Sequence, residues 1–324
     1  MGGGNTQPAW RLLGDVGGTN ARFALQSGPG AAIEALAQYR CGDFESIEAV
    51  LRRYLAEPGR PQPQSGAIGI ANPIDGDQVR MTNHDWQFSI EAIRQALGLK
   101  RLLFVNDYAA LALAVPTLRS DETRPIGGGI AVPGAPLALL GPGTGLGVSG
   151  LIRRADGADS VLSGEGGHVT LAAADDEEAA VIDWLRHRFG HASAERALSG
   201  QGLENLYQAW AGLHGQAAEP LSATQISERG LQRSDPACDA VLELFLSLLG
   251  NVAGNLALTL GALGGVYIGG GIVPRLAARI DGSRMRQRFE QKGRFAGYLS
   301  RIPLLLIRAG DEPALRGAAR ALDG

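Results

Sequence analysis

The chain has 324 residues, of which 45% are hydrophobic, and 30 Lys and Arg stand against 33 Asp and Glu for a formal net charge of −3. That is the composition of a soluble globular protein long enough for two ordinary domains, and it offers no basic field for nucleic acid or an anionic membrane. No apolar run is expected to approach the ~20 residues of a membrane span, the N-terminus lacks the regions of a signal peptide, and Cys41 and Cys238 are too few for a disulfide framework or a four-cysteine zinc site, so a reducing cytoplasm is the expected compartment.

Taken in chain order, Leu12 to Leu25 places apolar residues on both sides of Gly17-Gly18-Thr19. The pattern predicts a β-hairpin over residues 10–26 with a phosphate-sized gap at its tip. Glycine lets backbone approach an anion and lets φ become positive. Asp15 adds one carboxylate beside that gap. Ala67 to Ala71 predicts a short strand ended by Asn72-Pro73. Ser89 to Gly98 has a Ser N-cap, helical spacing and a Gly stop. Arg101 to Val105 predicts a buried strand, with Asn106-Asp107 at its carboxyl end and a helix from Tyr108 to Val115. Strand and helix alternate, so the fold class is α/β.

The Gly- and Pro-rich segment Ser120 to Pro136 is the expected crossing between domains. Leu137 to Leu140 then runs into Gly141-Pro142-Gly143-Thr144-Gly145-Leu146-Gly147 and a second apolar run to Ile152. This repeats the first pattern and predicts two related halves, each opening with a hairpin. Helices are expected from Glu177 to about Leu263, with a polar break near residues 215–222. A strand at residues 265–268 ends in Gly269-Gly270-Gly271; a last strand covers residues 302–307, and a helix begins near Pro313.

Three glycine turns, each after an apolar strand, point to phosphate more strongly than one does. A P-loop is excluded, because Lys100 and Lys292 are the only lysines and neither follows such a turn. A Rossmann turn must open a helix, whereas Gly143 to Gly147 opens a strand. Thr19 and Thr144 can donate hydroxyl hydrogen bonds to phosphate oxygens. Asn106-Asp107 fits a helix cap and equally a carboxylate at the ligand end of an α/β sheet. Glu165 and His168 sit on a glycine-flexed loop that is either a plain surface loop or a pair of hydroxyl partners. Glu195 and the polar loop Met81-Thr82-Asn83-His84 carry the same two readings.

Together these segments resemble the bacterial ATP-dependent glucokinase family, of the type without a zinc-binding cysteine motif. The resemblance runs from about Leu12 to Gly317. It rests on residues 14–22, 81–84, 106–107, 143–147, 164–168, 195–200, 269–274 and 292–295, in order. It implies two ribonuclease-H-like α/β domains of the actin and hexokinase type flanking a cleft. The small domain would take residues 1–117 plus 308–324, and the large one 118–307. The implied reaction transfers the γ-phosphoryl of ATP to the 6-hydroxyl of D-glucose, the first step of glycolysis. Gly14, Asp15, Val16, Gly17, Gly18 and Thr19 would hold the ATP phosphates, with Asp15 near Mg2+ through water. Gly143, Thr144 and Gly145 would approach the same phosphates, and Gly270 and Gly271 would lie near the adenosine. Asn83, Asn106, Asp107, Glu165, His168 and Glu195 would bind the sugar, with Asp107 as the base. The resemblance also implies a cytoplasmic homodimer with no nucleic-acid or membrane partner.

Overall fold

Arg11–Val16 (β1) and Asn20–Gln26 (β2) pair antiparallel, Asp15 facing Arg22 and Val16 facing Ala21, which is the hairpin expected from the flanking apolar runs. The computed structural model describes residues 9–82, 84–154, 159–308, 310 and 312–324. The chain divides into two compact units, Met1–Leu118 with Ala309–Gly324, and Arg119–Arg308.

In the first unit the hairpin is followed by Ile33–Arg40 (β3) and the helix Ile47–Leu55 (α1), whose N-cap Ser46 accepts from the Ala49 N–H. Then come Ser65–Ile70 (β4), the small pair Gln78–Arg80 (β5) and Gln87–Ser89 (β6), Ile90–Ala96 (α2), Arg101–Asn106 (β7) and Asp107–Ala114 (α3). The five-stranded sheet runs β3-β2-β1-β4-β7, with β1, β4 and β7 parallel and β2 and β3 antiparallel to their neighbours. Leu12, Val16, Phe23 and Ile68 on one face pack with Ile47, Leu51, Tyr54 and Ile93. Apolar side chains on both faces of β1 and β4 explain why these strands read as continuous apolar runs.

The second unit contains Thr123–Pro125 (β8), Leu137–Pro142 (β9), Leu146–Ile152 (β10) and Ser160–Gly164 (β11). Its helices are Asp176–Phe189 (α4), Ala194–Ala197 (α5), Gly200–Leu213 (α6), Ala223–Leu231 (α7) and Pro236–Leu260 (α8). Val266–Ile268 (β12), Ala277–Ile280 (α9), Met285–Glu290 (α10), Ala296–Leu299 (α11) and Leu304–Ile307 (β13) complete it. The sheet order is β11-β10-β9-β12-β13-β8, with β12 parallel to β9 and β13 parallel to β12. Its first five strands repeat the order and direction of the first sheet, as the paired sequence pattern predicts. The last helix, Glu312–Asp323 (α12), returns to the first unit and packs Leu315, Ala318 and Leu322 on Leu13, Ala24 and Ala67. Arg11, almost fully buried at the start of β1, reaches Gln26 and Asp323 and fastens that helix to the sheet.

Two expectations fail here. The segment after Ser120 is not a free crossing. Thr123–Pro125 is an edge strand against β13, and Ile126 behind it is buried. Pro125 does not prevent pairing, because an edge strand has one side with no ladder partner to lose. The expected absence of a long apolar run also fails, since α8 spans 25 residues and is apolar enough by length and composition to cross a membrane. Phe245, Leu246, Leu248 and Leu249 on it are fully buried, and much of its length is the centre of the second core.

Charged groups are buried between α4, α8 and α10. Glu178 is fully buried and faces Arg288 at 3.1 Å, and the Ala174 N–H donates to its second oxygen at 2.7 Å. The Lys292 ammonium donates to Asn251 Oδ1, and the Asn251 amide donates to the Ala172 carbonyl. Burial pushes the Lys292 pKa down from 10.5 to about 8, while Glu178 pulls it back up. Between those values the unfolded chain keeps a proton that the folded chain releases, so this group makes stability rise with pH. Lys292→Met is therefore expected to change the melting temperature relative to the parent most in its favour at pH 7. That relative advantage declines as pH rises from 8 to 10, read in paired thermal melts. A difference constant across the range would refute the buried ammonium.

Candidate active site

The first hairpin closes where the Gly17 N–H donates to the Asn20 carbonyl at 2.9 Å, leaving Gly18 and Thr19 at the apex. Cys41 supports the tip from behind. Its N–H donates to the Thr19 carbonyl and its thiol to the Gly17 carbonyl. Burial pushes that thiol's pKa up. The Gly14 Cα and the Val16 side chain face the core, so these two contribute packing rather than side chains at the tip. Neither Gly17 nor Gly18 has a positive φ. A Cβ on Gly17 would meet only the Asn20 carbonyl, at 3.8 Å. Backbone geometry thus does not demand glycine at 17, and the space a side chain would fill stands open.

Two acids lie on the α3 side of the first sheet. Asp15 is half-buried and pairs in register with Gly69 of β4, so both project from the same face. A Cβ on Gly69 would stand 3.4 Å from Ala110 Cβ and 3.8 Å from Asp107 Cα. A methyl at residue 69 would just touch the first turn of α3, which lies on the sheet beside Asp15. Arg22 donates to Asp15 Oδ2 at 3.1 Å and to Gln38 at 3.3 Å, while Gln38 donates to Asn20 at 3.2 Å. Asn106 is the N-cap of α3, its Oδ1 accepting from the Tyr108 and Ala109 N–H groups at 3.0 and 3.1 Å. That commits the carbonyl oxygen and leaves the amide hydrogens as its donors toward a ligand. Asp107 Oδ1 accepts from the Tyr108 N–H at 2.9 Å. Burial, and next the Asp107 charge, push the Tyr108 phenol's pKa up. Asn83 lies outside the described residues. Beside it, Thr82 is held by its N–H to Asn72 Oδ1, and the His84 ring packs 4.5 Å from Trp86.

In the second unit the candidates gather around the tip of the β9–β10 hairpin. The Gly143 N–H donates to the Gly145 carbonyl at 2.8 Å, with Thr144 at the apex. Nothing lies within 4 Å of a Cβ on Gly143. Gly270 has φ +79°, and a Cβ there would stand 2.2 Å from the Pro142 carbonyl. The Gly269–Gly271 turn therefore rests directly on the end of β9, and the Ile272 N–H donates to that same carbonyl at 3.3 Å. A Cβ on Gly167 would stand 2.2 Å from the Leu146 carbonyl, so the loop bearing Glu165 and His168 rests on the start of β10. Both of those side chains are exposed.

Glu195 is the least legible member from sequence. It sits on α5, half-buried, and its Oε2 accepts from the Leu146 N–H at 2.9 Å. The Gly200 N–H donates to the Gly143 carbonyl at 2.9 Å. The structure thus gathers Asp15, Asn106 and Asp107 in the first unit. It gathers Gly143–Gly145, Glu165, His168, Glu195, Gly270 and Gly271 in the second. Arg22, Cys41 and Asn72 received no role from sequence reasoning. Only Arg22 carried a usable signal, because a hairpin turning at Gly18-Thr19 sets residue 22 opposite residue 15.

Residues 12–324 match the family model described as Glucokinase. A glucokinase of Aromatoleum aromaticum is 55% identical over 314 residues, covering 97% of this chain and 94% of that protein. A glucokinase of Chromobacterium violaceum is 53% identical over 315 residues, covering 97% and 90%. The crystal structure of a glucokinase from an Antarctic psychrotroph is similar at a TM-score of 0.89 and 40% identity, covering 97% of this chain and 99% of that one.

The contact under α3 gives a direct test of the packing at Gly69. Gly69→Ala places its methyl in ordinary contact, whereas Gly69→Val adds two further methyls to a contact already made. The valine variant is expected to lose about 1–3 kcal/mol in a urea titration, and the alanine variant much less. Equal losses would show that α3 does not depend on that gap.

Proposed function

The chain belongs to the glucokinase family, and we propose that it transfers the γ-phosphoryl group of ATP to the 6-hydroxyl of D-glucose, yielding glucose 6-phosphate and ADP. The observation that carries this reading on the molecule itself is the placement of Asp107. It stands at the carboxyl end of a parallel strand, beside Asp15 on one sheet face, next to an open glycine tip. Ligands of open α/β sheets bind at the carboxyl ends of strands. Near-full-length relatives at 53–55% identity support glucose as the sugar and phosphoryl transfer as the chemistry.

Phosphoryl transfer needs alignment and neutralised charge more than covalent help from the protein. In this reading the tips at residues 14–19 and 143–145 meet the ATP phosphates with backbone N–H groups and the Thr19 and Thr144 hydroxyls. Gly270 and Gly271 meet the adenosine. Asn83, Asn106, Asp107, Glu165, His168 and Glu195 are the partners of the sugar hydroxyls. A sugar lacking one of those hydroxyls leaves a partner unsatisfied, which is the source of selectivity. Asp107 accepts the 6-hydroxyl proton as the oxygen bonds to phosphorus. Its position matters more than its basicity, because that proton becomes acidic only as the bond forms.

Magnesium fits the donors present. It is held by one or two carboxylates together with substrate phosphates rather than by an all-protein cage. Asp15 is an oxygen donor beside the first tip, and the described residues hold no cluster of three metal-binding side chains. When bound with ATP, the cation supplies neutralisation of phosphate charge. The compartment proposed is the cytoplasm, supported by two unpaired, buried cysteines. The assembly proposed is a homodimer, on family resemblance.

Purified protein with D-glucose, ATP and magnesium should form glucose 6-phosphate in a coupled dehydrogenase assay; no turnover would reject the reading. Asp107→Asn should leave glucose affinity nearly unchanged and lower kcat by ~100-fold or more. Near-normal turnover in that variant would remove Asp107 from the mechanism. Asp15→Asn should weaken use of magnesium-ATP while glucose affinity stays intact. Unchanged KM for ATP together with unchanged kcat would dismiss its role.

A further inference from the structure

Glu195 enters the site on resemblance alone as a partner of sugar, yet in this structure its carboxylate serves the neighbouring glycine turn. Leu146 opens β10 opposite Pro142, whose carbonyl accepts from the Ile272 N–H on the far side of β9. Pairing of β10 with β11 begins only at Val148. The Leu146 N–H therefore lies before the ladder starts and without Glu195 would be an orphan donor. Glu195 Oε2 satisfies it at 2.9 Å. The same oxygen lies 2.4 Å from where a Cβ on Gly145 would stand, so it fills the space beside the turn.

The mount of this carboxylate is rigid. Ser193 caps α5 through the Arg196 N–H. The Ser199 hydroxyl donates to the Glu195 carbonyl at 2.9 Å, and buried Asn205 donates to the Arg196 carbonyl at 2.9 Å. The Ala194 N–H donates to the Val169 carbonyl, tying α5 to the segment that follows His168. Directly after Ser199 the chain returns to the turn, where the Gly200 N–H donates to the Gly143 carbonyl. The turn is thus held at both ends by one short segment, residues 195–200.

We propose that Glu195 is a positioning residue for the Gly143–Gly145 turn: through the Leu146 N–H it fixes the shape in which that turn receives nucleotide phosphates, before any sugar binds. This rests on the reading of the turn as a phosphate site. A carboxylate has two oxygens and about four lone-pair directions, so one oxygen can hold the turn while the other meets a sugar hydroxyl. One side chain then touches both substrates' sites within a single unit.

The test measures nucleotide affinity without sugar, using a non-hydrolysable ATP analogue with magnesium and calorimetry. Hydrogen exchange over residues 143–148 is followed in parallel. Glu195→Ala should weaken the analogue roughly tenfold, the worth of one charge-assisted hydrogen bond, and should speed exchange at the turn. Glu195→Gln keeps an acceptor oxygen and should restore both. Gly145→Ala should weaken the analogue in the parent but much less in Glu195→Ala, where the crowding carboxylate is gone. A residue that serves only the sugar would leave sugar-free affinity and exchange unchanged in Glu195→Ala, and that result overturns the proposal. Additive losses in the double variant overturn it as well. If the parent itself binds no analogue, the ATP reading fails, and the proposal fails with it.

Discussion

Backbone meeting backbone at the end of β9 is the constraint on which the second unit's site depends. The Gly269–Gly271 turn can rest on the Pro142 carbonyl only because residue 270 has no side chain, with 2.2 Å where a Cβ would be. The Glu165–His168 loop rests on the Leu146 carbonyl under the same limit, imposed by Gly167. Two segments far apart in sequence therefore share one hairpin tip as their reference point. Each is placed by contact with main chain, which has few ways to move, rather than by a side chain that can change rotamer. A site that must align phosphate and hydroxyl groups to a fraction of an ångström gains from that stiffness.

The first unit solves a different problem, which is charge. Asp15 and Asp107 occupy neighbouring places on one sheet face, so two carboxylates bring negative charge to it. Arg22, paired to Asp15 at 3.1 Å across the hairpin, offsets one of them. The amino end of α3 favours negative charge at Asp107. Arg22 is itself held by Gln38, which holds Asn20, so the edge strand β3 takes part in setting the orientation of Asp15.

How much of this was legible in the sequence depends on whether the cause was local. Apolar runs around a glycine turn specify a hairpin by themselves, and Ser89 announces α2 because its hydroxyl caps the Ala92 N–H three residues on. The repeat of strand, tip and strand foretold the matching order of the two sheets. β3 and β11 left little trace, since both are edge strands with mostly exposed side chains and so carry no core-facing alternation. β8 was read as linker because three residues ending in proline have no period. The positive φ that glycine permits is not used at Gly17 or Gly18; at Gly17 glycine leaves open space instead. Glu195 could not be read, since its partner Leu146 lies 49 residues away and the link is a tertiary hydrogen bond.

Asn106 shows why structural and functional readings of one residue need not compete. β7 passes into α3 with no intervening loop, so the residue at the junction is both strand end and helix cap. The cap uses only Oδ1, and by using it fixes the direction of the amide hydrogens. An alanine there would lose the cap, at about 1 kcal/mol, and also the orientation of the Asp107 turn. A side chain free of the cap could still donate to a hydroxyl, but from many rotamers. The bond that stabilises the helix start is thus the one that aims the donor and steadies the base beside it.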